Sequence, residues 1–203
     1  MLIIEGVSCT GKTTLCKFLA ERYGFFVADE GVRYLERSFG KSRDEILRVP
    51  SSIDEERRNQ DLLFDAESIK LHEAFAAAQR GRDVVLDKSA LSIMASAYAF
   101  GKTKGMFGDI DYARRKMVGL IDEFGIAAFG EVKIALLDLD LDSRRSRRAK
   151  RNTALDDVWL DGGITSLQHS FLMELLSLRL VDGRVFSSDA SDLEHQVMEF
   201  YGV

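Results

Sequence analysis

The chain has 203 residues, of which 46% are hydrophobic and 30% charged, and a formal net charge of −5. At about 150 residues per domain this is one domain, 1–203, too apolar to be disordered and long enough to bury a core without staples. The acidic balance argues against an open surface that coats nucleic acid, Cys9 and Cys16 make no disulfide framework, and no apolar run reaches the ~20 residues of a membrane span. The expectation is a reduced, cytoplasmic protein with no membrane partner.

Short apolar runs alternate with longer helical segments. Leu2-Ile3-Ile4 reads as a buried strand and Lys12 to about Tyr23 as a helix stopped by Gly24. Phe25 to Ala28 is a second strand. Ser42-Arg43-Asp44-Glu45 and Ser52-Ile53-Asp54-Glu55 both have capping-box spacing and predict two helix starts. The second of these helices is long, with Leu62, Leu63, Ala66, Ile69 and Phe75 as its inward stripe and Gly81 closing it. Val84-Val85-Leu86 is a third strand, Ser89 to Phe100 a helix, and Gly101 to Gly108 a loop rich in glycine and lysine. Asp109 opens a helix ending near Gly125, and Val132 to Leu137 is the fourth strand. Thr165-Ser166-Leu167-Gln168 predicts a capped helix running to about Leu180, Val185-Phe186 a fifth strand, and Ser191-Asp192-Leu193-Glu194 the cap of the last helix. Strands separated by helices require crossovers, so the fold class is α/β: five parallel strands with helices on both faces.

One segment carries chemistry outright. Gly6-Val7-Ser8-Cys9-Thr10-Gly11-Lys12-Thr13 satisfies G-x-x-x-x-G-K-[ST] and lies between an apolar strand and a helix, the context that motif needs. Gly6 and Gly11 let the backbone curl so that successive N–H groups, including those around Ser8 and Thr14, face a phosphate. The helix that follows adds its positive end. Lys12 is placed to reach the β- and γ-phosphates of ATP, and the Thr13 hydroxyl to ligate Mg2+. Cys9 is read as a small loop filler and Cys16 as a helix residue. A GTPase would need N-K-x-D to read guanine, and no Asn-Lys pair occurs. A large mechanical ATPase would need more chain.

Beyond this loop the sequence resembles the thymidylate kinase and deoxynucleoside kinase group of P-loop kinases. Leu62-Leu63-Phe64-Asp65-Ala66-Glu67-Ser68 stands where thymidylate kinases carry L-L-F-x-A-D-R. Asp87-Lys88-Ser89 stands between their D-R-Y and the acid-Arg-Ser of deoxynucleoside kinases. Gly105-Met106 through Asp109-Ile110-Asp111-Tyr112 is similar to the deoxynucleoside kinase stretch before the next helix. Asp29-Glu30-Gly31-Val32 lies at their E-P-G element, with the proline missing. Lys88 replaces an arginine that holds the acceptor's phosphate, and Ser68 replaces an arginine that reads the base.

The resemblance implies a three-layer P-loop kinase fold with a basic lid over about 142–157, where Arg144, Arg145, Arg147, Arg148, Lys150 and Arg151 cluster. By resemblance Arg147 and Arg151 match the lid arginines best; arginine suits a lid because its planar fork holds two phosphate oxygens as charge moves to the leaving group. A solvated basic face or a nucleic-acid patch are the other readings of that run. Asp87 ends a buried strand where a carboxylate organises magnesium, its other reading being a helix cap. Glu30, Arg33, Phe64 and Lys88 are the candidate acceptor-binding residues, Phe64 by stacking on a base unless it is a core residue. Asp189-Ala190-Ser191 falls where related kinases lay a loop against adenine. Trp159 and the histidines at 72, 169 and 195 show no ligand spacing.

The function expected is ATP- and Mg2+-dependent phosphoryl transfer to a pyrimidine deoxynucleoside monophosphate. The alternatives are a hydroxyl acceptor, either a deoxynucleoside or a hydroxyl-bearing modified base in DNA, and a non-catalytic nucleotide-binding regulator. A second copy of the chain is a candidate partner.

Overall fold

Leu2 to Ile4 offers aliphatic side chains to both sides of the pleat, so it belongs in the middle of a sheet covered on both faces. The computed structural model, which describes residues 1–40, 45, 48–150, 157–178 and 181–202, places it there. Strand β1 (Leu2–Glu5) is fully buried and pairs in parallel with β3 (Val84–Asp87) and β4 (Lys133–Asp138), setting Ile4 against Asp87 and Glu5 against Leu136. With β2 (Phe26–Ala28) outside β3 and β5 (Asp182–Ser187) outside β4, the order is β2-β3-β1-β4-β5, all parallel.

Eight α-helices are described: α1 (Lys12–Tyr23), α2 (Gly31–Phe39), α3 (Ile53–Gln79), α4 (Ala90–Lys102), α5 (Ile110–Phe124), α6 (Leu141–Ala149), α7 (Gly162–Ser177) and α8 (Leu193–Tyr201). Leu2, Ile4, Val85, Ala135 and Leu137 face α1 and α8, while Ile3, Val84, Leu86, Ile134 and Leu136 face α3, α4, α5 and α7. The chain therefore leaves β1 toward one face and β3, its neighbour, toward the other. Between such diverging connections a crevice opens at the carboxyl ends of the strands, and that is where open parallel sheets bind ligands. No helix among the described residues is long and apolar enough to cross a membrane.

Most helix ends follow the local code. Gly24 sits at φ 74 and closes α1. Ser52 accepts from the Glu55 N–H at 3.2 Å to start α3, and Asp109 accepts from the Tyr112 N–H at 3.0 Å to start α5. The Ser42 box lies outside the described residues except for Glu45. Three expectations fail, the first being the Ser191 box: α8 has Asp192 at its N-cap and no side-chain cap bond. Thr165-Ser166-Leu167-Gln168 is not a helix start: Asp161 caps α7 from the Ile164 N–H at 2.9 Å, and the buried Thr165 hydroxyl donates back to the Asp161 carbonyl at 2.7 Å. The pair Gly162-Gly163, poor helix formers, hid the true start. Helix α4 also continues past Phe100 through Gly101, because the loop folds back onto it at Gly108. A Cβ on Gly108 would stand 2.2 Å from the Ala97 carbonyl oxygen and 2.3 Å from the Gly101 nitrogen. Both neighbours are backbone, so nothing there yields easily. Gly108→Ala is expected to cost at least about 2 kcal/mol in a denaturant unfolding titration.

Candidate active site

The phosphate loop begins where β1 ends. Gly6 adopts φ 141, and a Cβ there would lie 2.5 Å from the Leu137 carbonyl oxygen, so only glycine lets the loop pass beneath the end of β4. Gly11 at φ 96 turns the chain into α1. Inside the loop the buried Lys12 ammonium donates to the Val7 carbonyl at 2.7 Å and reaches the Thr10 hydroxyl at 3.4 Å. Burial first, and the Lys88 ammonium next, push the Lys12 pKa down to about 8, against the pull of Asp87, Glu30 and Glu5. Thr14 is exposed in the first turn of α1, and Ser8 borders a cavity beside the loop.

The structure brings Thr13 and Asp87 together: the Thr13 hydroxyl donates to Asp87 Oδ2 at 2.6 Å. Two hard oxygens at the mouth of a phosphate loop fit Mg2+, which takes one or two protein oxygens and fills its octahedron with phosphate and water. Asp87 is aimed there because β3 is bonded to β1 in register with the strand that enters the loop.

Lys88, the next residue, takes φ 64, and its N–H donates to the Ile4 carbonyl at 3.0 Å. Its ammonium forms an ion pair with Glu30, the N-cap of α2. Burial works against this charge, but Glu30 foremost, then Asp87 and Glu5, outweigh it and hold the Lys88 pKa above the ordinary lysine value. Glu5, fully buried, accepts from the Ser89 and Ser92 hydroxyls at 2.6 Å each and so joins the root of the phosphate loop to α4.

Beside these groups lies a cavity lined by Glu30, Lys88 and Ser92 at the loop end, by Glu56, Gln60, Leu63 and Glu67 along α3, and by Trp159. Burial raises the pKa of Glu56, opposed by a hydrogen bond from Gln60 at 2.7 Å. Burial likewise raises that of Glu67, opposed by Lys70 and reinforced by Glu5 and Glu30.

Two expected acceptor residues are elsewhere. Phe64 is 2% exposed and packs in the core with Ile3, Leu86 and Ile93. The cavity face of α3 runs through Glu56, Gln60, Leu63 and Glu67 at helical spacing, which turns Phe64 inward toward the sheet. The predicted inward stripe lies at the edge of the core: Ala66 is buried, and Leu62, Leu63, Ile69 and Phe75 are half-buried and pack against the core clusters. Arg33 is exposed and pairs with Glu36 at 2.8 Å, one turn along α2 and away from the cavity. Ser68 donates to Glu123 at 2.8 Å instead of facing an acceptor. No motif pointed to Trp159, which sits in a short 3-10 turn (Asp157–Leu160). The polar spacing on α3 could have exposed Glu56, Gln60 and Glu67.

Of the basic run, Arg147 points back at the phosphate loop. Its guanidinium donates to the Thr10 carbonyl at 3.1 Å, the Ser188 carbonyl at 3.2 Å and Asp189 Oδ1 at 2.8 Å. Asp189, in the loop after β5, thus anchors the arginine. Arg144 is buried and donates to the Thr165 hydroxyl at 3.0 Å. Arg151 lies outside the described residues. Since Arg147 starts from the rim of the loop, Arg147→Ala is expected to lower kcat about 10- to 100-fold and to raise the KM for ATP much less. Were the segment a DNA-contacting surface instead, the same variant would lose salt-dependent oligonucleotide affinity, with a log–log slope smaller by about one.

No family model matches the chain, and no curated protein matches it in sequence. Solved structures match it in fold. Deoxyadenosine kinase from M. mycoides with bound dATP superposes with a TM-score of 0.65 at 13% identity, over 98% of this chain and 96% of that one. The same enzyme with dCMP and dCDP bound gives 0.62 at 13% identity over the same shares. The YorR protein of Bacillus subtilis, in complex with phosphorylated GDP, gives 0.54 at 16% identity over 98% and 93%. What the chain shares with these proteins, nearly end to end, is their α/β fold.

Proposed function

We propose that the chain transfers the γ-phosphoryl group of ATP to a hydroxyl of a nucleoside bound in the cavity beside the phosphate loop. The observation that carries this reading is the charge of the cavity. Among the described lining residues the acids are Glu30, paired with Lys88, Glu67, paired with Lys70, and Glu56, which has no cation partner, while the other cation, Arg48, is held by Glu55. A monophosphate acceptor, carrying nearly two negative charges at neutral pH, would meet no uncommitted cation among these residues. A neutral nucleoside instead supplies O–H and N–H donors to carboxylates. The charge therefore favours the hydroxyl alternative over the pyrimidine monophosphate expected from the sequence. The deoxyadenosine kinase fold supports a nucleoside over other hydroxyl compounds.

On this reading Glu30 accepts the proton of the attacking hydroxyl, whose oxygen bonds to the γ-phosphorus while the bond to the β-bridging oxygen breaks and ADP leaves. Lys88 holds Glu30 in place. Lys12 and the loop N–H groups hold the β- and γ-phosphates, and Arg147, released from Asp189, takes up charge on the transferring group. Thr13 and Asp87 would hold Mg2+, which would supply positive charge to offset that of the phosphates. The test is a panel of deoxynucleosides, their 5′-monophosphates and oligonucleotides with hydroxyl-bearing bases, each offered labelled ATP. Label is expected on nucleosides. Label confined to monophosphates would return the assignment to a nucleotide kinase, label confined to oligonucleotides would move it to a DNA kinase, and ATP binding without turnover would make the chain a regulator.

A further inference from the structure

Lys70 is a lysine with no exposed surface at all, placed on α3 between the cavity and the end of β3. Its ammonium has three protons to donate, and it has three acceptors: Glu67 Oε1 at 3.1 Å, the Asp87 carbonyl at 3.2 Å and the Lys88 carbonyl at 2.8 Å. Burying a cation is costly, and an apolar side chain of the same length would fill the space at no such cost. Stability alone does not account for a lysine there.

The two carbonyls explain more. Along an extended strand successive carbonyls point to opposite sides, yet those of Asp87 and Lys88 converge on one cation. The left-handed backbone of Lys88, φ 64, makes that convergence geometrically possible, and a non-glycine residue holds such a conformation only when its surroundings enforce it. The residues on either side of the turned peptide face opposite halves of the site. Asp87 bonds Thr13 of the phosphate loop, and Lys88 pairs with Glu30 of the acceptor cavity. The third bond fixes Glu67, against which Gly31 packs so closely that a Cβ would lie 2.9 Å from Glu67 Oε1.

We propose that Lys70 is a positioning residue of the phosphoryl-transfer site, whose ammonium locks the Asp87–Lys88 turn and Glu67 together and so sets the phosphate loop and the acceptor cavity in register. This rests on the kinase reading above. Without the ammonium the turn relaxes toward extended backbone, Asp87 and Lys88 swing apart from their partners, and the reactants remain bound but misaligned. Misalignment is felt in the transition state more than in binding.

Lys70→Met alone would leave Glu67 buried without its cation and can fail to fold, so the decisive variant is the double change Lys70→Met with Glu67→Gln, which removes both charges and keeps both shapes. Its kcat for the best acceptor of the panel is expected to fall at least about 30-fold below that of Glu67→Gln alone, which carries the loss due to the cavity carboxylate. The dissociation constant for a non-hydrolysable ATP analogue should stay within about 3-fold and the melting temperature within a few degrees. Lys70→Arg, which keeps the charge and the donors, should recover a substantial part of kcat. A double variant with kcat within about 3-fold of that of Glu67→Gln alone overturns the proposal. So does one in which analogue binding and melting temperature fall along with kcat, for then the lysine merely supports the fold. A wild-type protein that binds ATP but phosphorylates nothing overturns the kinase reading itself, an outcome distinct from an active wild type beside an unimpaired variant.

Discussion

Lys12→Ala is expected to lower turnover by at least about 10²-fold while the protein stays folded. The lysine is seated by the loop itself, through the Val7 carbonyl and Thr10 hydroxyl, so its ammonium already stands inside the curl that would receive phosphate. Charge grows on the oxygens between β- and γ-phosphorus as the bond breaks, and a fixed cation there is worth several kcal/mol, hence two or more powers of ten in rate. The same lysine predicts a pH dependence. With its pKa pushed down to about 8, the free protein sheds the proton as pH rises through that value, whereas bound phosphate requires the charged form. Affinity for a non-hydrolysable ATP analogue should therefore weaken by up to about tenfold between pH 7 and pH 9, and that slope should vanish in Lys12→Ala. Stability without nucleotide runs the other way. The folded state disfavours this charge, so the penalty is fully present below pH 8 and is relieved as pH climbs toward 10.5. Turnover near wild type in Lys12→Ala would remove the phosphate loop from the mechanism.

Much of this site was legible because its parts are local. The phosphate loop is eight consecutive residues whose glycines, lysine and threonine each have a backbone or charge reason to be there, and strand and helix boundaries around it follow from apolar runs and Gly24. Asp87 was legible too, since an acid ending a buried strand beside β1 has few places to point. The acceptor side was harder. Phe64 and Leu63 are neighbours in sequence, and a phase difference of about 100° decides which faces the cavity and which the core. That phase is set by how α3 packs on the sheet, a tertiary fact. Arg33 misled for a similar reason: Glu36, one turn on, captures it. Lys70 and Glu67 looked like ordinary polar positions of a long helix. Their meaning depends on carbonyls some eighteen residues away, which no periodicity in α3 encodes.

The roles of Glu30 and Lys88 decide what kind of acceptor the cavity takes. A hydroxyl must lose its proton during transfer, and a carboxylate held in reach contributes about 10²- to 10⁴-fold by accepting it. A phosphate acceptor is already largely ionised, needs no base, and depends on cations instead. The structure pairs the two side chains directly, so each substitution removes one role while disturbing the other. With a hydroxyl acceptor, Glu30→Gln is expected to lower kcat at least about 10²-fold with little change in the acceptor KM, because an amide keeps the shape but does not accept the proton. Lys88→Ala should cost less than about tenfold, since the lysine only orients the base. With a monophosphate acceptor the order reverses: Lys88→Ala would raise the acceptor KM steeply, and Glu30→Gln would leave kcat nearly intact. Steady-state kcat and acceptor KM for the two variants, measured on whichever acceptor the panel labels, separate the cases. A healthy Glu30→Gln beside a Lys88→Ala that no longer saturates with acceptor would overturn the hydroxyl assignment.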